Sequence, residues 1–355
     1  MAIQLLQNRT PQAYAGVEAF ARKHSGDDAG SLAWLAVGYG RFLDHDCGKA
    51  IDPLNRAKPH AGDIGDYVAF HLANCYIQTG RNSEAIAALA TFETTYPVSL
   101  LVRDARVLHA NALLTDNRPK EAIALLENDR LPQRSDLEYA LGRAYEAAGA
   151  IPEAAGVFQH LYFTVPLSPE ASNAEAELHK LGNVPGVSPP SFGDRRNRAD
   201  TLTKAKRYPE AIDAYRDLLN QATPTDKPSI QLALADAMLR GGQRKDARHL
   251  LDSLPLTTPE VAAQKLFTIG EIQRASDDDD GFLRTVNDLR QTAPSSPYLE
   301  QALFAAGNIY LLRRDYDKAI DSFREVEQRF PGSARAHYVH WKVACTSRPG
   351  AGPGI

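Results

Sequence analysis

Cysteine is nearly absent: the chain of 355 residues holds three, Cys47, Cys75 and Cys345. Three scattered cysteines exclude a cystine framework and a zinc ribbon, and Cys47 and Cys75 are expected to act as small buried packing residues. Long apolar runs are missing too, and none approaches the roughly 18 residues that cross a bilayer. Neither sign of charge prevails. Forty Lys+Arg stand against 44 Asp+Glu, for a net charge of −4, which gives no global pull toward nucleic acid or an anionic membrane. Met1 to Thr10 has no basic cluster followed by an apolar stretch, so no signal peptide is expected in this chain. Strict alternation of apolar and polar residues persists nowhere, which argues against a sheet. With 43% hydrophobic and 24% charged residues, the composition is that of a folded soluble protein.

What the sequence does have is self-similarity. Ser135 to Pro166 contains Leu141-Gly142, Tyr145, Gly149, Ala154, Phe158 and Pro166. Glu300 to Pro331 repeats it at the same offsets with Ala306-Gly307, Tyr310, Ala319, Phe323 and Pro331, and Asp66 to Pro97 with Leu72-Ala73, Tyr76, Ala85, Leu89 and Pro97. The alanine recurs at Ala50, Ala85, Ala122, Ala154, Ala211, Ala247 and Ala319. This is the tetratricopeptide pattern of Leu-Gly, Tyr, Ala, Phe and Pro over about 34 residues. Each unit is two helices. The small residue lets them approach, the tyrosine fills the space between them, and the alanine and phenylalanine share the buried face of the second helix. The proline then stops that helix.

The predicted fold is all-α: a right-handed superhelical solenoid of TPR-like helix pairs, roughly eight in two arms. Residues 1–181 form the N-terminal arm, 182–193 a Pro/Gly linker or elbow, and 194–344 the C-terminal arm. Trp34, Gly38, Ala50 and Ala57 give a looser early copy, and Pro11 to His24 a lone second helix. The doubled interval between Ala247 and Ala319 implies a degenerate unit near Leu283. Ala336 to Ala344 begins another first helix with Trp341 on its apolar side. The tail 345–355, rich in proline and glycine, reads as a truncation of the array in mid-repeat.

Three stretches narrow the reading: Leu161-Tyr-Phe-Thr-Val-Pro166 continuing to Leu178, Ser295-Ser-Pro-Tyr-Leu-Glu300 leading into Ala306-Gly307-Asn308-Ile-Tyr310, and Ala336 to Ala344. Across residues 11–344 the chain resembles the superhelical domain of bacterial soluble lytic transglycosylases, in which such a domain precedes a lysozyme-like domain that cleaves peptidoglycan. The family's Glu-Ser catalytic motif and its Gly-Leu-Met-Gln stretch have no counterpart here. The resemblance therefore implies a periplasmic or envelope scaffold without catalysis in this chain, a fragment or degraded copy of such an enzyme. The alternative is a free-standing tetratricopeptide scaffold for a protein partner. An enzyme inside a helical toroid would need paired inward carboxylates, which the aligned units do not supply.

Other chemistry finds little support. Asp277 to Asp280 with Gly281 lacks the bidentate glutamate of an EF-hand loop, and reads as a solvated turn with Asp280 as a helix cap. His337 and His340 have no further ligands at metal-site spacing. The basic group Arg195, Arg196, Arg198, Lys204, Lys206 and Arg207 reads as a solvated helix face, with an anion contact as the functional alternative. It lacks the aromatic interleaving of a nucleic-acid binder. No cofactor or metal is expected. Solenoids bind through a concave groove lined by their first helices. The candidate groove residues, flanking the packing positions, are Tyr67, Phe70 and Asn74, then Tyr139 and Arg143, then Phe304 and Asn308. Rings stack on an extended peptide or a sugar face, and Asn and Arg bond its polar groups. The expected ligand is a protein partner or peptidoglycan.

Overall fold

The computed structural model describes residues 2–127, 133–255 and 258–346. Helices make up its regular structure, with no strand among the described residues. The chain divides into two compact units at Pro189/Pro190. In the N-terminal unit, α1 (Ala2–Asn8) and α2 (Pro11–Lys23) precede four helix pairs. These are α3 (Asp28–Leu43) with α4 (Cys47–Ala57), α5 (Gly65–Gln78) with α6 (Asn82–Leu89), α8 (Val102–Thr115) with α9 (Pro119–Glu127), and α10 (Ser135–Ala147) with α11 (Ile151–Thr164). A single turn, α7 (Phe92–Thr95), follows α6, and α12 (Ala171–Leu181) packs on α11. The C-terminal unit has four more pairs. They are α13 (Phe192–Lys204) with α14 (Tyr208–Gln221), α15 (Lys227–Arg240) with α16 (Arg244–Asp252), α17 (Pro259–Arg274) with α18 (Asp279–Thr292), and α19 (Pro297–Leu312) with α20 (Tyr316–Arg329), and then α21 (Ala334–Thr346).

One turn joins the helices of all eight pairs. Its left-handed residue is Gly at 80, 149 and 242, and otherwise His45, Asn117, Lys206, Asp277 or Arg314. The next backbone N–H donates to the carbonyl five residues earlier, as from Arg81 to Tyr76 at 2.8 Å and from Arg207 to Leu202 at 2.9 Å, so the turn closes the first helix and reverses the chain. A side chain in the left-handed region costs about 1–2 kcal/mol. Lys206→Gly is therefore expected to stabilise the C-terminal unit by about 0.5–1 kcal/mol, once the extra chain entropy of glycine is subtracted. Urea unfolding followed by circular dichroism measures it; an unchanged midpoint would mean Lys206 makes an offsetting contact.

Five residues after this turn comes the repeating alanine, and all seven are fully buried. One helical turn later Leu54, Leu89, Leu126, Phe158, Tyr215, Leu251 and Phe323 complete the buried stripe. The small residue of the first helix is spacing, not flexibility. A Cβ added at Gly142 would lie 2.5 Å from Cε1 of Phe158, and one at Gly307 would overlap the ring of Phe323.

The degenerate unit near Leu283 is the pair α17 with α18. Phe282 occupies the alanine position of α18, fully buried, with Val286 one turn on. Large and small residues have exchanged places, and Gly270 of α17 makes the room: a Cβ there would lie 3.0 Å from the Phe282 ring. An alanine count misses such a swap because the packed volume is kept while the residue type is not.

The ends of elements differ as well. Asp278, not Asp280, caps α18, accepting from the Gly281 N–H at 2.8 Å, while Asp280 pairs with Arg313 at 2.6 Å. Helix α13 begins at Phe192, inside the stretch read as a linker, because Ser191 and Asp194 form a reciprocal capping box. Helix α21 continues to Thr346. Its buried face is Ala336 and Val339, and Trp341 is 51% exposed beside Tyr338 rather than on the apolar side. The rest of the tail, 347–355, lies outside the described residues.

Candidate binding face

Within each unit, first helices touch from one repeat to the next: α3 with α5, α5 with α8, α8 with α10, and in the C-terminal unit α15 with α17 and α17 with α19. The side of a first helix turned away from its partner helix thus joins its neighbours in a continuous face.

In the N-terminal unit α5 supplies three of the predicted residues. Tyr67 is 48% exposed at the start of the helix. Phe70 and Asn74 follow at helical spacing, both half-buried. Asn74 is already oriented, since its Oδ1 accepts from Gln78 Nε2 at 2.9 Å, and Gln78 Oε1 accepts from the Cys47 thiol at 3.1 Å. Between them sits His71, which the sequence reasoning missed. Its ring lies 4.7 Å from Tyr39, 5.1 Å from Phe42 and 5.5 Å from Phe70, and its buried Nδ1 has no hydrogen-bond partner. A legible signal existed for Tyr39: it follows Gly38 as Asn74 follows Ala73 one repeat later.

Burial among these rings holds the His71 pKa below its ordinary 6.5. The sign follows directly. As pH falls through about 6.5 the unfolded chain takes up a proton that the folded one refuses, so stability is lost on acidification. His109 is shifted down by burial as well. Replacing His71 by Phe should therefore shrink, not abolish, the loss of thermal stability between neutral pH and pH about 5. A wild-type slope retained in full by His71→Phe would assign the dependence to other groups.

Three of the four remaining candidates, Tyr139, Phe304 and Asn308, are engaged within the chain. The Tyr139 ring lies 5.8 Å from Phe158, its hydroxyl reaches toward Glu177 of α12 at 3.5 Å, and burial raises its pKa. Arg143 is exposed on the same helix. In the C-terminal unit the Lys342 ammonium of α21 stands over the Phe304 ring at 5.6 Å and donates to Asn308 Oδ1 at 2.7 Å. The Phe323 and Tyr338 rings flank the same ammonium at 5.4 and 5.5 Å. Phe304 and Asn308 thus hold α21 against α19. The two residues fall at equivalent places in the repeat to Phe70 and Asn74, but only the packing of α21 decides that their partner is internal.

The charged candidates are also accounted for. Arg196 donates to Ser229 Oγ at 3.0 Å, Arg207 pairs with Glu210 at 2.6 Å, and Arg198 is 9% exposed. The basic group is therefore spread over several surroundings rather than one solvated face. His340 pairs with Glu327 at 2.8 Å. Among the described residues no three His, Cys, Asp or Glu side chains gather as a metal site, and no helix is long and apolar enough to cross a membrane. Glu300, buried at 7% exposure, faces Arg335 at 3.6 Å, an ion pair between α19 and α21.

No curated protein matches the sequence. Solved structures similar to the chain include a tetratricopeptide repeat protein from Parabacteroides merdae (13% identity over 90% of this chain and 99% of that one, TM-score 0.37). A chain of the Naa15/Naa10 complex bound to HypK-THB matches at 14% identity over 97% of this chain and 59% of that one, with a TM-score of 0.36. The C-terminal part of a TPR repeat-containing protein from Cytophaga hutchinsonii matches at 14% identity over 76% and 98%, with a TM-score of 0.34. Tetratricopeptide repeat models match residues 67–99 and 301–333, residues 107–172, and residues 202–268. Together these matches cover more than half of the sequence in the repeat that the buried alanines mark, and the chain belongs to the tetratricopeptide-repeat family.

Proposed function

We propose that the chain is a non-catalytic scaffold that holds an extended segment of a protein partner on its first-helix face, centred on α5. The observation that carries this reading is the juxtaposition of an exposed ring, Tyr67, with an amide already oriented by its neighbour, Asn74, beside the Tyr39–Phe42–Phe70–His71 cluster. Rings supply contact area at low entropic cost and the amide pairs with a backbone. No cofactor enters this reading. Cross-linking in the source cell followed by mass spectrometry would identify the partner, which is then purified and titrated. Tyr67→Ala with Asn74→Ala is expected to weaken binding at least tenfold, about 1.4 kcal/mol, while leaving the helical spectrum unchanged. Equal affinity would move the site elsewhere.

The resemblance of the helix exits at 161–178, 295–310 and 336–344 to lytic transglycosylases supports a more particular version, an envelope scaffold that positions a wall-cleaving activity supplied by another polypeptide segment. Co-sedimentation with purified peptidoglycan tests it. Retention that Tyr67→Ala weakens favours this version; a chain left wholly in the supernatant rejects it, and a cleared band in a zymogram would reject the non-catalytic reading.

A further inference from the structure

Cys47 and Cys75 lie on helices that belong to successive repeats, and the fold brings them together. Cys47 opens α4 and Cys75 is in the last turn of α5. The two helices pack side by side, with the start of one against the end of the other: the Cys47 thiol donates to Gln78 Oε1 at 3.1 Å. Cys75 precedes Gln78 by one helical turn on the same side of α5, which places it beside the point where Cys47 meets that helix. Both residues sit in one core cluster, at 5% and 0% exposure. We propose that Cys47 and Cys75 are a modification site: under oxidising conditions they form an intramolecular disulfide that staples the first helix pair to the second.

The two thiols differ in a way that orders the steps. Cys47 is in the first turn of its helix and is the less deeply buried of the two, so an oxidant reaches it first. Burial holds the Cys75 thiol well above its ordinary pKa. The Cys47 thiolate attacks oxidised glutathione, forming a mixed disulfide and releasing one glutathione thiolate. Cys75 then loses its proton and attacks the Cys47 sulfur, forming the Cys47–Cys75 bond and releasing the second glutathione. Two protein thiols are oxidised and one glutathione disulfide is reduced to two thiols. Oxidation also removes the S–H donor from Gln78, the residue that orients Asn74, so the redox state of the pair reaches the proposed binding face.

The test uses the full chain carrying Cys345→Ser, so that only the pair is oxidisable. It is equilibrated with oxidised glutathione, then denatured and alkylated. The expected product is lighter by two hydrogen atoms, takes up no alkylating agent, gives a Cys47–Cys75 cross-linked peptide and melts at a higher temperature, and a reductant reverses all four. Cys47→Ala and Cys75→Ala should each abolish the cross-link, with circular dichroism confirming that the variants remain helical. Two alkylated cysteines in the oxidised sample, or glutathione retained on Cys47 without the cross-linked peptide, would overturn the proposal. The second outcome would show that Cys75 cannot reach the Cys47 sulfur.

Discussion

Phe323→Ala is expected to destabilise the C-terminal unit by about 3–5 kcal/mol, the usual cost of emptying a fully buried aromatic site. The ring is fully buried. It touches the small-residue position of its own pair at Gly307, lies 5.9 Å from Phe304, and flanks Lys342 of α21. One truncation therefore loosens three helices. In a stacked repeat such damage is felt by neighbours through their interfaces and is not confined to one hairpin. Urea unfolding followed by circular dichroism, with hydrogen exchange resolved by peptide, should show the midpoint falling and protection in α19, α20 and α21 dropping most. A midpoint within error of the wild type would mean that the neighbouring side chains collapse into the vacated space, and that the ring is not the keystone of this pair.

Gly307→Ala tests the same contact from the other side. Alanine is the better helix former by about 1 kcal/mol, so propensity alone predicts stabilisation. Packing predicts the reverse, because the new methyl overlaps a ring that has nowhere to go, and overpacking of this kind costs about 1–3 kcal/mol. A net loss of stability is expected, and Gly142→Ala against Phe158 should behave alike. The chain itself suggests the rescue. At the same two positions other repeats carry alanine with leucine, as in Ala73 with Leu89, Ala110 with Leu126 and Ala235 with Leu251, all buried. Gly307→Ala with Phe323→Leu should therefore recover most of what either change loses alone, a coupling measured by the double-mutant cycle. Strictly additive losses would refute the steric account.

Much of the helical pairing was legible because each pair repeats one packing solution. Ala85, Ala154 and Ala319 sit where two helices come closest, so only a small residue fits, and the constraint shows as a period. Phe282 escaped for the same reason in reverse: complementarity between two helices fixes their summed volume, and Gly270 let the large partner change sides. The binding face was legible as positions, not as environments. Tyr67 and Phe304 both carry rings on first helices, yet Tyr67 meets solvent while Phe304 meets the ammonium of α21. His71 carried no sign of its aromatic surroundings, since Tyr39 and Phe42 come from the preceding repeat.

Local sequence by itself determined that the chain is built of helix hairpins, where most of them turn, and which small residues lie between them, because those properties depend on neighbours one or two helical turns away. Tertiary structure alone decided which polar groups find partners inside the chain. Lys342 reaches Asn308, Arg335 faces Glu300, and Cys47 meets Gln78. Each of these contacts spans two repeats, and stacking one hairpin on the next sets the distance between such groups in a way that no spacing along the chain records.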